Sequence, residues 1–140
     1  MEESMIRQAL QLHEVDIRSY SPLALAYIGD AVYEVLIRTK VMNQGSMQVN
    51  KLHKKSTSLV RAQAQADMIR LLLEELTEEE RVIYKRGRNA KSATMARHAT
   101  MQDYRTATGF EALVGYLYLV GRHERLLTLI HDGLQKMGEL

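Results

Sequence analysis

The sequence predicts an all-α fold, and three observations carry the prediction. Apolar residues recur at helical rather than alternating spacing along most of the chain, no convincing pair of strands can be drawn, and a single proline among 140 residues forces few breaks. The opening stretch, MEESMIRQALQLHEVDIRSY, has amphipathic spacing and acids but no basic head or unbroken apolar run, so it does not read as a signal peptide. Ser21 followed by Pro22 reads as an N-cap with proline at the first helical position, and NQGS at 43–46 closes the segment, placing the first core helix at about 22–40. A long helical pattern starts after Ser46 and runs through Val49, Leu52, Leu59, Val60 and Ile69 to about Leu73, with alanines reducing its side-chain bulk. Thr77 and Glu80 have capping-box spacing and open a short helix ending near Gly87. From Arg88 to about Arg105 the apolar period disappears, which predicts a loop longer than compact domains usually need and therefore a functional one. TGFEALVGYLYLVG at 108–121 resumes an apolar helix, and Leu126, Leu127, Ile130, Leu134 and Met137 share one face of a last amphipathic helix.

The length favours one compact domain, and 46% hydrophobic with 26% charged residues is the composition of an ordinary globular protein. The absence of cysteine excludes disulfides and thiolate zinc sites and fits a reducing compartment, so a cytoplasmic location is expected. No apolar run reaches the roughly 18 residues a membrane span needs. A net charge of +2 does not by itself argue for nucleic acid, but its distribution is uneven. Lys85, Arg86, Arg88, Lys91, Arg97 and Arg105 stand in one segment against the single acid Asp103; Lys51, Lys54 and Lys55 with His53 form a second cluster; acids gather at Glu74, Glu75 and Glu78 to Glu80.

Two acids interrupt helices that are otherwise apolar. Asp30 follows Gly29 in the first core helix, and Glu111 stands one turn before Gly115 in the second apolar one. Glycines beside both acids allow the helices to approach closely and bring the carboxylates together, and converging oxygen ligands suit Mg²⁺ or Mn²⁺. Plainer readings compete with this. Thr108 with Glu111 is itself a capping-box spacing, Asp30 with Glu34 fits a solvated stripe, and a basic segment is commonly just a solvated loop. The histidines show no metal pair at helical spacing, although His53 and His98 lie among cations that suit phosphate. No dinucleotide fingerprint, P-loop, HExxH or nucleophile elbow is present.

Taken in order, these features resemble a known family. LALAYIGDAVYEVLIR at 23–38 is similar to the signature helix of the ribonuclease III catalytic domain, where a Leu-Gly-Asp element carries a metal-binding aspartate, and FEALVGYLYL resembles that family's second motif. VNKLHKKSTSLVRAQAQA at 49–66 and EEERVIYKRGRNAK at 78–91 look like its small branch, the Mini-III ribonucleases. The resemblance implies an all-helical homodimer without a separate double-stranded-RNA-binding domain. It implies cleavage of double-stranded RNA with Mg²⁺ (Mn²⁺ as a substitute), leaving 5′-phosphate and 3′-hydroxyl ends. The implied substrate is large-subunit (23S) ribosomal RNA precursor, with a ribosomal protein as stimulator. It also implies Asp30 and Glu111 as the catalytic metal ligands.

On this reading Lys85, Arg86, Arg88, Lys91, Arg97 and Arg105 grip RNA, with Asn89 and Tyr104 as helpers in the same loop and His53, Lys54 and Lys55 as a second contact. The match is incomplete. Larger ribonuclease III enzymes have acids where this chain has Leu23, Ala26 and Thr108, which predicts a metal held by fewer protein oxygens and more waters. Those absences also support an alternative, a catalytically inactive RNA-binding relative in ribosome assembly. A DNA-binding helical regulator is less favoured, because it needs a basic recognition helix and the basic residues read as a loop.

Overall fold

In a computed structural model, residues 1–91 and 100–140 are described and form seven α-helices with no strand among them. They are α1 (Glu3–Ala9), α2 (Pro22–Met42), α3 (Val49–Val60), α4 (Ala62–Leu72), α5 (Glu78–Asn89), α6 (Met101–Leu119) and α7 (His123–Lys136). Short 3-10 turns at Ile17–Ser19 and Leu73–Glu75 lead into α2 and out of α4. The caps explain where the helices begin. Ser21 accepts the Ala24 amide at 3.1 Å with Pro22 behind it, and Thr77 and Glu80 complete both bonds of the capping box.

Helix α6 is the axis of the fold. It packs on α2, α5 and α4, and it buries Phe110, Leu113, Val114 and Leu117 among residues from all of them. Tyr33 of α2, fully buried, meets Phe110 edge to face with ring centroids 5.2 Å apart.

Two predicted boundaries are corrected. The expected long helix to Leu73 is two helices, because Arg61 is extended at φ −64° and ψ 155° and turns the chain between α3 and α4. The carbonyls at the break are taken by side chains: the Tyr33 hydroxyl donates to Leu59 at 2.9 Å and the Gln65 amide to Val60 at 2.8 Å.

The predicted loop from 88 to 105 is also shorter than expected. Helix α5 continues to Asn89, and α6 begins at Met101, where Thr100 accepts the Asp103 amide at 3.0 Å. The first turn of α6 is polar, so it carries no apolar period, and Arg70 of α4 holds Asp103 at 2.9 Å. Thr108 therefore lies inside a helix, with its hydroxyl donated to Tyr104 O at 2.9 Å, and the capping role for Thr108 and Glu111 is excluded.

A buried ion pair joins α5 to α7. Glu80, 1% exposed, accepts two bonds of 2.9 Å from Arg125, whose guanidinium also reaches Glu75 O at 2.8 Å. Hydrogen bonding to Arg125 holds the Glu80 carboxyl below its ordinary value of 4.5. Replacing Arg125 by methionine leaves that carboxylate buried without its cation and should cost about 3 kcal/mol of stability. A lowered folded-state pKa stabilises above the unfolded value and loses its effect as pH falls through the folded one. The gap between variant and wild type in urea unfolding should therefore close on acidification.

Candidate active site

Two glycines let α2 and α6 touch along their backbones. A Cβ at Gly29 would lie 1.8 Å from the Glu111 carbonyl oxygen, and one at Gly115 would lie 2.0 Å from that of Leu25. No side chain fits at either crossing. The approach sets Asp30, exposed at the rim, against Glu111, which is half-buried, and places the two carboxyl groups within hydrogen-bonding reach of each other. Burial first, and then the Asp30 carboxyl beside it, push Glu111 up to about 9, while the Gln65 amide pulls in the other direction. At neutral pH Glu111 therefore keeps its proton. A like-charged pair of this kind suits a cation in the proton's place.

Gln65 is the residue that sequence reasoning missed. It is 2% exposed, its Nε2 donates to Val60 O at 2.8 Å and lies within reach of Glu111, and its Oε1 has no partner. The one signal in the sequence is a glutamine at a core-facing position of the alanine-rich stretch AQAQA. Glu34, the neighbouring acid on α2, is engaged with Arg38 at 3.0 Å. Among the described residues no group of three or more His, Cys, Asp or Glu side chains converges, so two carboxylates are what the site offers a metal. That donor set fits Mg²⁺ or Mn²⁺, which keep much of their water shell, and does not fit a closed zinc site.

The basic residues divide into two surfaces. His53, Lys54, Lys51 and Arg61 line an open groove along α3, and Arg61 is the hinge residue four positions before Gln65. Lys55 is exposed on the same helix but does not line the groove.

Arg88, Asn89 and Arg105 line a second cleft together with Arg70, and the Arg88 guanidinium lies 5.6 Å over the Tyr84 ring. Lys85 and Arg86 are exposed on α5, and Lys91 is exposed just beyond it. Tyr104 and Arg105 belong to the first turns of α6. The expectation that the residues from Arg88 to Arg105 share one loop is thus corrected: Arg88, Asn89, Tyr104 and Arg105 stand on helices α5 and α6, whose polar turns hide the helical period. Arg97 and His98 lie outside the described residues.

The model of the ribonuclease III domain matches residues 23–122, a span that contains the whole Asp30–Glu111 crossing. The chain belongs to the ribonuclease III domain family. Within that family it is 50% identical over 126 residues to Mini-ribonuclease 3 of Enterococcus faecalis, covering 89% of this chain and 96% of the relative. It is 46% identical to Mini-ribonuclease 3 of a Thermoanaerobacter species, covering 99% and 100% of the two chains. The fold matches the crystal structure of a Fusobacterium nucleatum protein with a TM-score of 0.80 at 35% identity, covering 91% of this chain and 100% of the other. The resemblance drawn from the Mini-III motifs is thereby established.

Proposed function

We propose that this chain is a divalent-metal-dependent endoribonuclease that cleaves double-stranded RNA, with Asp30 and Glu111 as its metal-binding catalytic pair. Membership of the ribonuclease III family makes it an endoribonuclease. The observation that carries the site assignment is the crossing at Gly29 and Gly115, which holds two carboxyl groups together at the cost of ordinary ionisation of Glu111. A bound Mg²⁺ supplies polarisation of a phosphodiester and a water of lowered pKa. Asp30, exposed, and Glu111, half-buried, are the residues that would hold that ion. Hydrolysis breaks the bond between the 3′ oxygen and phosphorus, leaving 5′-phosphate and 3′-hydroxyl ends.

Duplex RNA is read mainly through phosphates and 2′-hydroxyls, and the groove along α3 and the cleft with Arg88 and Arg105 offer cations for both. Lys85, Arg86, Lys91 and Lys55 add exposed charge around them, and Asn89 and Tyr104 stand beside the second cleft's cations in the chain. Removing Lys54 and Arg61 together should weaken duplex binding and reduce the salt slope of log K by roughly 0.9 per lost phosphate contact. A binding titration across salt concentrations checks this; an unchanged slope excludes the α3 groove as a phosphate contact.

The proposal includes a homodimer with one site for each RNA strand. Its support is a stripe on α2 at four-residue spacing, Leu23, Tyr27, Ala31 and Val35, which faces away from the core with Tyr27 83% and Val35 62% exposed. An apolar hollow beside it is lined by Met5, Ile6, Ile28, Val32 and Leu127. No helix among the described residues is long and apolar enough to cross a membrane. The single-domain reading, a cytoplasmic location, maturation of 23S ribosomal RNA precursor and stimulation by a ribosomal protein complete the proposal.

Its direct test is incubation of the purified protein with a long RNA duplex and Mg²⁺, beside Asp30→Asn. Cleavage to 5′-phosphorylated fragments that is lost in the variant supports it. Duplex binding without cleavage, with Mn²⁺ included, favours the inactive assembly-factor reading suggested by Leu23, Ala26 and Thr108.

A further inference from the structure

We propose that Gln65 is a positioning residue for Glu111: its buried amide spans from the Val60 carbonyl at the end of α3 to the Glu111 carboxylate and fixes that carboxylate for metal binding. The inference rests on the reading of Asp30 and Glu111 as a metal pair.

The first support is the geometry of the amide. One N–H of Nε2 is committed to Val60 O at 2.8 Å, and because the amide is planar, that bond also sets the direction of the second N–H. Glu111 lies within its reach. The second support is the orphaned Oε1. A buried carbonyl oxygen without a donor is a liability, and an apolar side chain of similar length at this alanine-rich site would avoid it. The polarity of residue 65 is therefore explained by its donor end. The third is the place of the anchor. Val60 precedes Arg61, the residue at the break between α3 and α4 that lines the basic groove, so the anchor of the Gln65 amide lies at the end of that groove. Partners that orient a ligating carboxylate act on metal affinity without touching the metal.

The experiment measures Mn²⁺ binding by titration calorimetry without RNA, and kcat and KM on an RNA duplex, for wild type, Gln65→Met and Tyr33→Phe. Gln65→Met should weaken Mn²⁺ binding about 10- to 100-fold and lower kcat with KM unchanged. Tyr33→Phe removes the neighbouring bond to Leu59 O at the same helix end, so it should lower the melting temperature but leave Mn²⁺ affinity intact. If Gln65→Met does not fold, Gln65→Asn, one methylene too short to span both partners, takes its place with the same expectation. Wild-type Mn²⁺ affinity in the Gln65 variant overturns the proposal, and so does an equal loss in Tyr33→Phe, which would assign the effect to a loosened helix break. A wild type that binds no Mn²⁺ overturns the metal reading of the carboxylate pair itself, a result distinct from either.

Discussion

Replacing Gly29 by alanine is expected to force α2 and α6 apart, lowering stability by about 3 kcal/mol or more and the melting temperature by roughly 10 °C. The added methyl group would lie 1.8 Å from the Glu111 carbonyl oxygen, 2.7 Å from its carbon and 2.8 Å from the Gly115 nitrogen. All three atoms are backbone, so none can swing aside as the tip of a flexible side chain would. The helices must separate instead, and with them Phe110, Leu113 and Tyr33 lose close packing. Cleavage should disappear together with Mn²⁺ binding, because the crossing that is widened is the one that sets Asp30 against Glu111. Gly115→Ala, whose methyl group would lie 2.0 Å from the Leu25 carbonyl oxygen, should behave alike. The two changes act on one interface, so the double variant should cost less than the sum of the singles. Thermal unfolding of the three variants checks this, and a Gly29→Ala protein that melts like wild type would falsify the close-packed crossing.

Asp30→Asn and Glu111→Gln should each reduce duplex cleavage by roughly a thousandfold or more, equivalent to about 4 kcal/mol of lost transition-state stabilisation. Their stabilities should tell a different story. Glu111 is pushed up to about 9 from 4.5 by burial and by Asp30. Both folded and unfolded chains hold this proton below 4.5, so the group costs nothing there. As pH rises from 4.5 toward 9 the unfolded chain ionises first, and the metal-free protein loses stability across that window. Glu111→Gln has no such proton and should abolish this contribution, leaving a variant as stable as wild type at neutral pH or more so, yet inactive. Binding of Mg²⁺ must expel the proton, so apparent metal affinity should rise with pH up to about 9. Urea unfolding at several pH values and calorimetry in buffers of different ionisation enthalpy measure the two effects. A metal-free stability that is flat with pH, or metal binding without proton release, contradicts a protonated, half-buried Glu111.

The unequal legibility of the chain follows from which partners are local. Ser21–Pro22 and Thr77–Glu80 cap their own helices with groups a few residues away, so the starts of α2 and α5 were readable from the sequence. Glycine next to acid on two apolar helices was enough to bring Asp30 and Glu111 together as neighbours, because close approach needs only the absence of side chains at the crossing. The break at Arg61 was not readable. The side chains that receive its freed carbonyls are Tyr33, on another helix, and Gln65, whose role depends on a turn the period does not mark. The polar first turn of α6 was missed for a related reason, since Arg70 on α4 holds its Asp103.

Residue type and short-range spacing are thus enough for an all-α chain, its caps, its two unusual acids and its family. The packing of the helices sets Glu111 half-buried beside Asp30 with Gln65 next to it, and among the described residues it places Lys51, Lys54 and Arg61 along one groove and Arg70, Arg88 and Arg105 along another. Burial, and the direction from which a side chain is approached, are properties of the packed helices and are not written in any one of them.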